Sequence, residues 1–129
     1  LDFSGESGPY LQYTYARLRS IGRKAGKAGK ADLSLLIKKE ELAVMRKVFD
    51  FPEEIKRSTE AYSTNNITVY LYELANLANR FYETTPVLSS RGGEENQALR
   101  NARLLLVDVV TSILKKGLEL LGIEAPERI

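Results

Sequence analysis

An all-α fold, a helical bundle, is what this sequence predicts, and three observations carry the prediction. Apolar side chains recur at spacings of three and four residues through four separate stretches. No stretch of strand length shows the strict apolar-polar alternation of a half-buried strand. Glycine, proline and small polar residues separate the periodic stretches, where they interrupt helices and form connections.

The elements follow in order. Ser7-Gly8-Pro9 is a start signal, since proline suits the first helical turn and serine accepts from an orphan N–H, so a first helix is expected from about Pro9 to Ala25. Leu11, Tyr15, Leu18, Gly22 and Ala25 gather on one side of it with Ile21 nearby, while Tyr10, Tyr13, Arg17 and Lys24 gather on another. The glycine-lysine run from Gly26 to Lys30 breaks that helix into a basic loop. Leu42, Met45, Val48 and Phe49 mark a second helix over about Lys39 to Asp50. Pro52 with Glu53 and Glu54 opens a short third helix to about Tyr62, acids in its first turn matching the helix dipole. A fourth, about Asn66 to Thr84, carries Ile67, Tyr70, Leu71, Leu74, Leu77, Ala78 and Phe81 on a broad stripe, with Tyr82 at its edge. The fifth, about Asn96 to Leu121, has Leu or Val on nearly two faces, including Leu104, Val107, Leu114 and Leu118, and is expected at the centre. Leu105, Leu106, Val109 and Ile113 are expected to be buried there with Leu74 and Phe81. Gly122 stops this helix.

At 129 residues, with 43% apolar and 28% charged residues, the chain has the balance of one folded domain. No run reaches the roughly 18 apolar residues of a membrane span, and the start lacks a secretory signal pattern, so a cytoplasmic protein without membrane contact is expected. Cysteine and histidine are both missing, which removes disulfides, the usual zinc ligand sets and the Ser-His and Cys-His nucleophile pairs. The paired glutamates Glu40-Glu41, Glu53-Glu54 and Glu94-Glu95 fall at helix starts or in a loop, where they serve the dipole or face solvent. The glycines neither follow a strand nor match phosphate-loop spacing. No catalytic residue, metal site or cofactor is therefore expected in this chain.

The net charge is only +2, yet its distribution is uneven. Between Glu6 and Asp32 there is no acid, while Arg17, Arg19, Arg23, Lys24, Lys27 and Lys30 all fall in that window, a candidate phosphate contact. Tyrosine is enriched, seven against no tryptophan, and three stand in Tyr10-Leu11-Gln12-Tyr13-Thr14-Tyr15. Aromatic rings beside arginines suit single-stranded RNA, whose unstacked bases lie on rings while its phosphates meet cations. The same face also suits a peptide or partner domain, so a helical protein-interaction module is the competing expectation.

The run Ser4-Gly-Glu-Ser-Gly-Pro-Tyr-Leu-Gln-Tyr-Thr-Tyr-Ala-Arg-Leu-Arg-Ser-Ile21 resembles the segment at which the catalytic half of arginyl-tRNA synthetases passes into their C-terminal anticodon-binding domain. Further stretches agree in order: Glu41-Leu-Ala-Val-Met-Arg-Lys47 with Phe51-Pro52, Leu74 through Phe81-Tyr82 to Val87-Leu88, Ala102-Arg-Leu104, and Gly117-Leu-Glu-Leu-Leu-Gly-Ile-Glu-Ala-Pro-Glu-Arg-Ile129. The resemblance implies a helical anticodon-binding domain over residues 9–129, of the type found in class I synthetases, with residues 1–8 a linker remnant from a catalytic half. It implies arginine-accepting tRNA as partner, a monomer, and a catalytic domain in the same polypeptide that uses ATP. It also implies tRNA contacts at Tyr10, Tyr13 and Arg17, at Tyr82 on the facing helix and at Ile129 near the terminus. Arg23 and Lys24 join them as candidate phosphate contacts from the charge pattern. Tyr15 stands where family members often have histidine, Pro86 lies near a position where some place another aromatic, and Ile129 replaces a frequent terminal methionine.

Overall fold

The computed structural model describes residues 7–26, 29–61, 63–85 and 94–127, with 94 and 95 as backbone only. Five α-helices make up the fold: α1 (Ser7–Ala25), α2 (Lys39–Phe49), α3 (Phe51–Ala61), α4 (Asn65–Thr84) and α5 (Glu94–Leu120), with one 3-10 turn at Leu33–Leu35. No strand occurs among the described residues, and none of their helices is long and apolar enough to cross a membrane. Helix α1 starts at Ser7, so the serine expected to cap it is instead buried in its first turn. Ile129, Pro86, Lys27 and Tyr62 lie outside the described residues.

Helices α1, α4 and α5 pack against one another, and α2 and α3 lie against α4. Leu11, Tyr15 and Leu18 of α1, Leu71, Leu74 and Phe81 of α4, and Leu106, Leu114 and Leu118 of α5 are almost wholly buried. Each contributes about 1.5 to 3 kcal/mol of hydrophobic stabilisation. Helices α4 and α5 approach closely at Gly117, where a Cβ would sit 2.4 Å from Leu71 Cδ1, so only glycine admits the leucine there. Ile113 is buried as expected, whereas Leu105 and Val109 are only partly covered, because the face of α5 turned inward runs through Ala102, Leu106, Val110 and Leu114.

The ends of the long helices obey local chemistry. Gly26 and Gly122 both take φ of 73°, a left-handed conformation that a side chain would strain. At Gly122 the cap is completed by Ile123 N–H to Leu118 C=O at 2.8 Å and Gly122 N–H to Glu119 C=O at 3.0 Å, which satisfies carbonyls the helix leaves open.

Helix α2 packs partly as expected: Met45 and Val48 lie against the core, whereas Phe49 is 73% exposed. Its buried residues are Glu41 and Val44. Glu41 Oε2 accepts from Arg103 Nε of α5 at 2.8 Å, and its Oε1 accepts from the Lys38 N–H at 3.0 Å. Glu41 thus stands in the first turn of its helix as expected, but is buried rather than solvated. A buried carboxylate demands such a partner.

Candidate nucleic-acid interface

Residues 13, 17, 20 and 24 are spaced by four, three and four along α1, so their side chains share one face. That face is the opposite of the buried stripe of Leu11, Tyr15 and Leu18, and it borders a cleft of about 580 Å3. Tyr13, Arg17, Ser20, Arg23 and Lys24 of α1 line the cleft on one side and Tyr82 of α4 on the other, with no carboxylate among the described lining residues. The structure thus brings together five of the sequence-predicted site residues: Tyr13, Arg17, Arg23, Lys24 and Tyr82.

Each takes a different environment. Tyr13 is 50% exposed, so its ring is available and the core does not depend on it. Tyr82 is half-buried, one face of its ring covered by the Arg17 guanidinium at 4.6 Å from the centroid, a cation–π arrangement. Arg17 also donates from Nη1 to Asn79 Oδ1 at 3.0 Å and lies 3.8 Å from the exposed carboxylate of Glu83. Arg23 lies 3.6 Å from Glu127 at the far end of the chain.

Tyr10 is not among the residues lining the cleft. It lies in the seam between α1 and α4, where its hydroxyl donates to Asn76 Oδ1 at 2.6 Å and its ring meets that of Tyr72 at 5.3 Å. This tyrosine fastens the two helices whose further turns form the cleft walls. Ile129 lies outside the described residues.

Sequence reasoning missed two residues at the site. Asn79 is 9% exposed on the inner side of α4, joined to Arg17, Tyr10 and Thr14 at once. The available signal was a polar residue set between Ala78 and Phe81 in an apolar stripe. The other is Glu127, which accepts from Arg19 Nε at 3.0 Å and from the Tyr15 hydroxyl at 3.3 Å. The Arg19 hydrogen bond holds the Glu127 carboxyl below the usual carboxylate range, while burial and Glu127 push the Tyr15 phenol up. With Gln12 Nε2 donating to the Glu124 carbonyl at 2.9 Å, the tail after α5 is laid along α1 toward the cleft. No spacing rule links residues so far apart in the chain.

The sequence and fold have counterparts among known proteins. The family model of the DALR anticodon binding domain matches residues 11–129. An arginine-tRNA ligase of Parabacteroides distasonis is 39% identical over 134 residues, covering all of this chain and 22% of the relative. One from Thermococcus kodakarensis is 41% identical over 139 residues, covering all of this chain and 21% of the relative. The arginyl-tRNA synthetase structure of Thermus thermophilus aligns over 99% of this chain and 22% of its own, at 38% identity and a TM-score of 0.85. The chain thus spans about a fifth of the length of these relatives.

Proposed function

Because this chain belongs to the DALR anticodon-binding domain family, we propose that its cleft receives the anticodon loop of arginine tRNA. The observation that carries the proposal is the meeting of Tyr13, Arg17 and Tyr82 from two helices at one open cleft with no carboxylate among its described lining residues. Tyr13 and Tyr82 offer rings to unstacked bases, worth about 1 to 3 kcal/mol per base. Arg17, Arg23 and Lys24 meet the phosphates between them. Arginine codons all have G in the middle, so their anticodons share a central C, the natural base to be splayed out and read.

In this reading the chain supplies recognition to an arginine-tRNA ligase. Amino-acid activation with ATP falls to a catalytic domain of the same polypeptide, as the match to only about a fifth of each arginine-tRNA ligase relative suggests. The test is titration of an arginine anticodon stem-loop into the chain and its variants. Tyr13→Ala and Tyr82→Ala should each weaken binding by about 1 to 3 kcal/mol. Melting should be unchanged in Tyr13→Ala and lowered in Tyr82→Ala, whose ring also packs on the core. Full RNA affinity in both variants would move the site elsewhere.

A further inference from the structure

The hydrogen bonds around Asn79 run in one direction. A guanidinium can only donate, so the oxygen end of the Asn79 amide must face Arg17, as it does at 3.0 Å. The NH2 end then faces away, and it donates to the Tyr10 hydroxyl and to Thr14 Oγ1, both at 3.1 Å. With its oxygen already accepting, Tyr10 gives its own proton to Asn76 Oδ1 at 2.6 Å. An amide buried to this degree is costly unless satisfied, and here both ends are. Asn79 therefore ties one α1 residue at the cleft, Arg17, to two in the seam, Tyr10 and Thr14.

An aspartate in the same place would hold Arg17 equally well but would cancel its charge. Glu83, the carboxylate 3.8 Å from Arg17, is 64% exposed, so solvent screens its effect. We propose that Asn79 is a positioning residue of the cleft: its neutral amide holds the Arg17 guanidinium against the Tyr82 ring and leaves its positive charge available to an RNA phosphate. This rests on the reading of the cleft as the anticodon site. It explains why a polar side chain occupies the apolar stripe of α4, and it gives Tyr10 an indirect role through the same amide.

The experiment has one readout without RNA and one with it. Without RNA, the Arg17 δ-protons should resonate upfield in the unaltered chain because they lie near the Tyr82 ring. Asn79→Ala should abolish that shift, and Asn79→Asp should keep it. With an arginine anticodon stem-loop, Asn79→Ala should weaken binding about tenfold, the loss expected for a hydrogen bond to a charged group. The double variant Arg17→Ala/Asn79→Ala should bind no more weakly than Arg17→Ala alone. Asn79→Asp should also weaken binding and lower the salt slope by about 0.7, as though one cation were lost. Aspartate keeps the bond to Arg17, while its second oxygen can only accept, so the Tyr10 and Thr14 hydroxyls must turn to donate to it and Tyr10 releases Asn76. With folding checked by melting, its salt slope tests charge even if the alanine variant fails to fold. An undiminished upfield shift in Asn79→Ala, or wild-type affinity in Asn79→Asp, would overturn the proposal. If the unaltered chain does not bind the stem-loop but the shifts respond as expected, the anticodon reading fails while the hold of Asn79 on Arg17 stands.

Discussion

Arg17, Arg23 and Lys24 share the cleft, with no carboxylate among its described lining residues, yet they are held differently. Arg17 is fixed by Asn79 and Tyr82, and Arg23 is 3.6 Å from Glu127. If all three meet phosphates, changing them together to alanine should flatten the log-log salt dependence of stem-loop binding by about 2 units. An unchanged slope would make them merely solvated. Glu127 offers a separate check by pH. Its folded-state pKa is depressed, chiefly by the Arg19 hydrogen bond, so the clasp is fully formed above the ordinary carboxylate value near 4.5 and is lost as pH falls through the lower folded value. Carbon-detected NMR should place the Glu127 midpoint below that of a solvated glutamate, with the Glu124 amide following it. A midpoint at the ordinary value would show that the tail is not clasped. The aromatic and basic residues of this site were legible because they repeat at helical spacing within one short stretch. Asn79 and Glu127 were not, because their partners lie 62 to 69 and 104 to 112 residues away, at distances only the fold closes.

Among the elements, α4 and α5 are the most constrained pair. Gly117 stands in the last turn of α5, where helix propensity alone favours alanine over glycine by up to about 1 kcal/mol. Packing reverses that preference, since an added methyl meets Leu71 at 2.4 to 2.9 Å. Gly117→Ala should therefore destabilise the chain by about 1 to 3 kcal/mol in denaturant unfolding. A stabilised variant would mean that the helices separate freely. Helix positions were readable from three- and four-residue spacing, and α1, α4 and α5 placed their apolar stripes much as expected. In α2 the burial of Glu41 was not legible, because its buried partner Arg103 lies 62 residues away. The turn at Leu33–Leu35 was also unread, being three residues long and set by a local bond from Ser34 N–H to the Asp32 side chain.

At the scale of the whole molecule, the bundle separates the buried stripe of α1 from the face that lines the cleft. The stripe of α1 containing Leu11, Tyr15 and Leu18 binds the core, and the face containing Tyr13, Arg17 and Lys24 is left to the cleft. Tyr10 and Asn79 join α1 to α4 along the seam, so the distance between Tyr13 and Tyr82 is set by a packed interface rather than by a loop. On the proposed reading, such a site is preorganised for a loop whose bases unstack on binding. The most direct measurement is a set of intermolecular nuclear Overhauser contacts in the complex of this chain with an arginine anticodon stem-loop. The account predicts contacts from the ring protons of Tyr13 and Tyr82 to base protons of the anticodon, the central cytosine among them. A bound stem-loop whose base contacts lie elsewhere on the chain, with both rings silent, would contradict it.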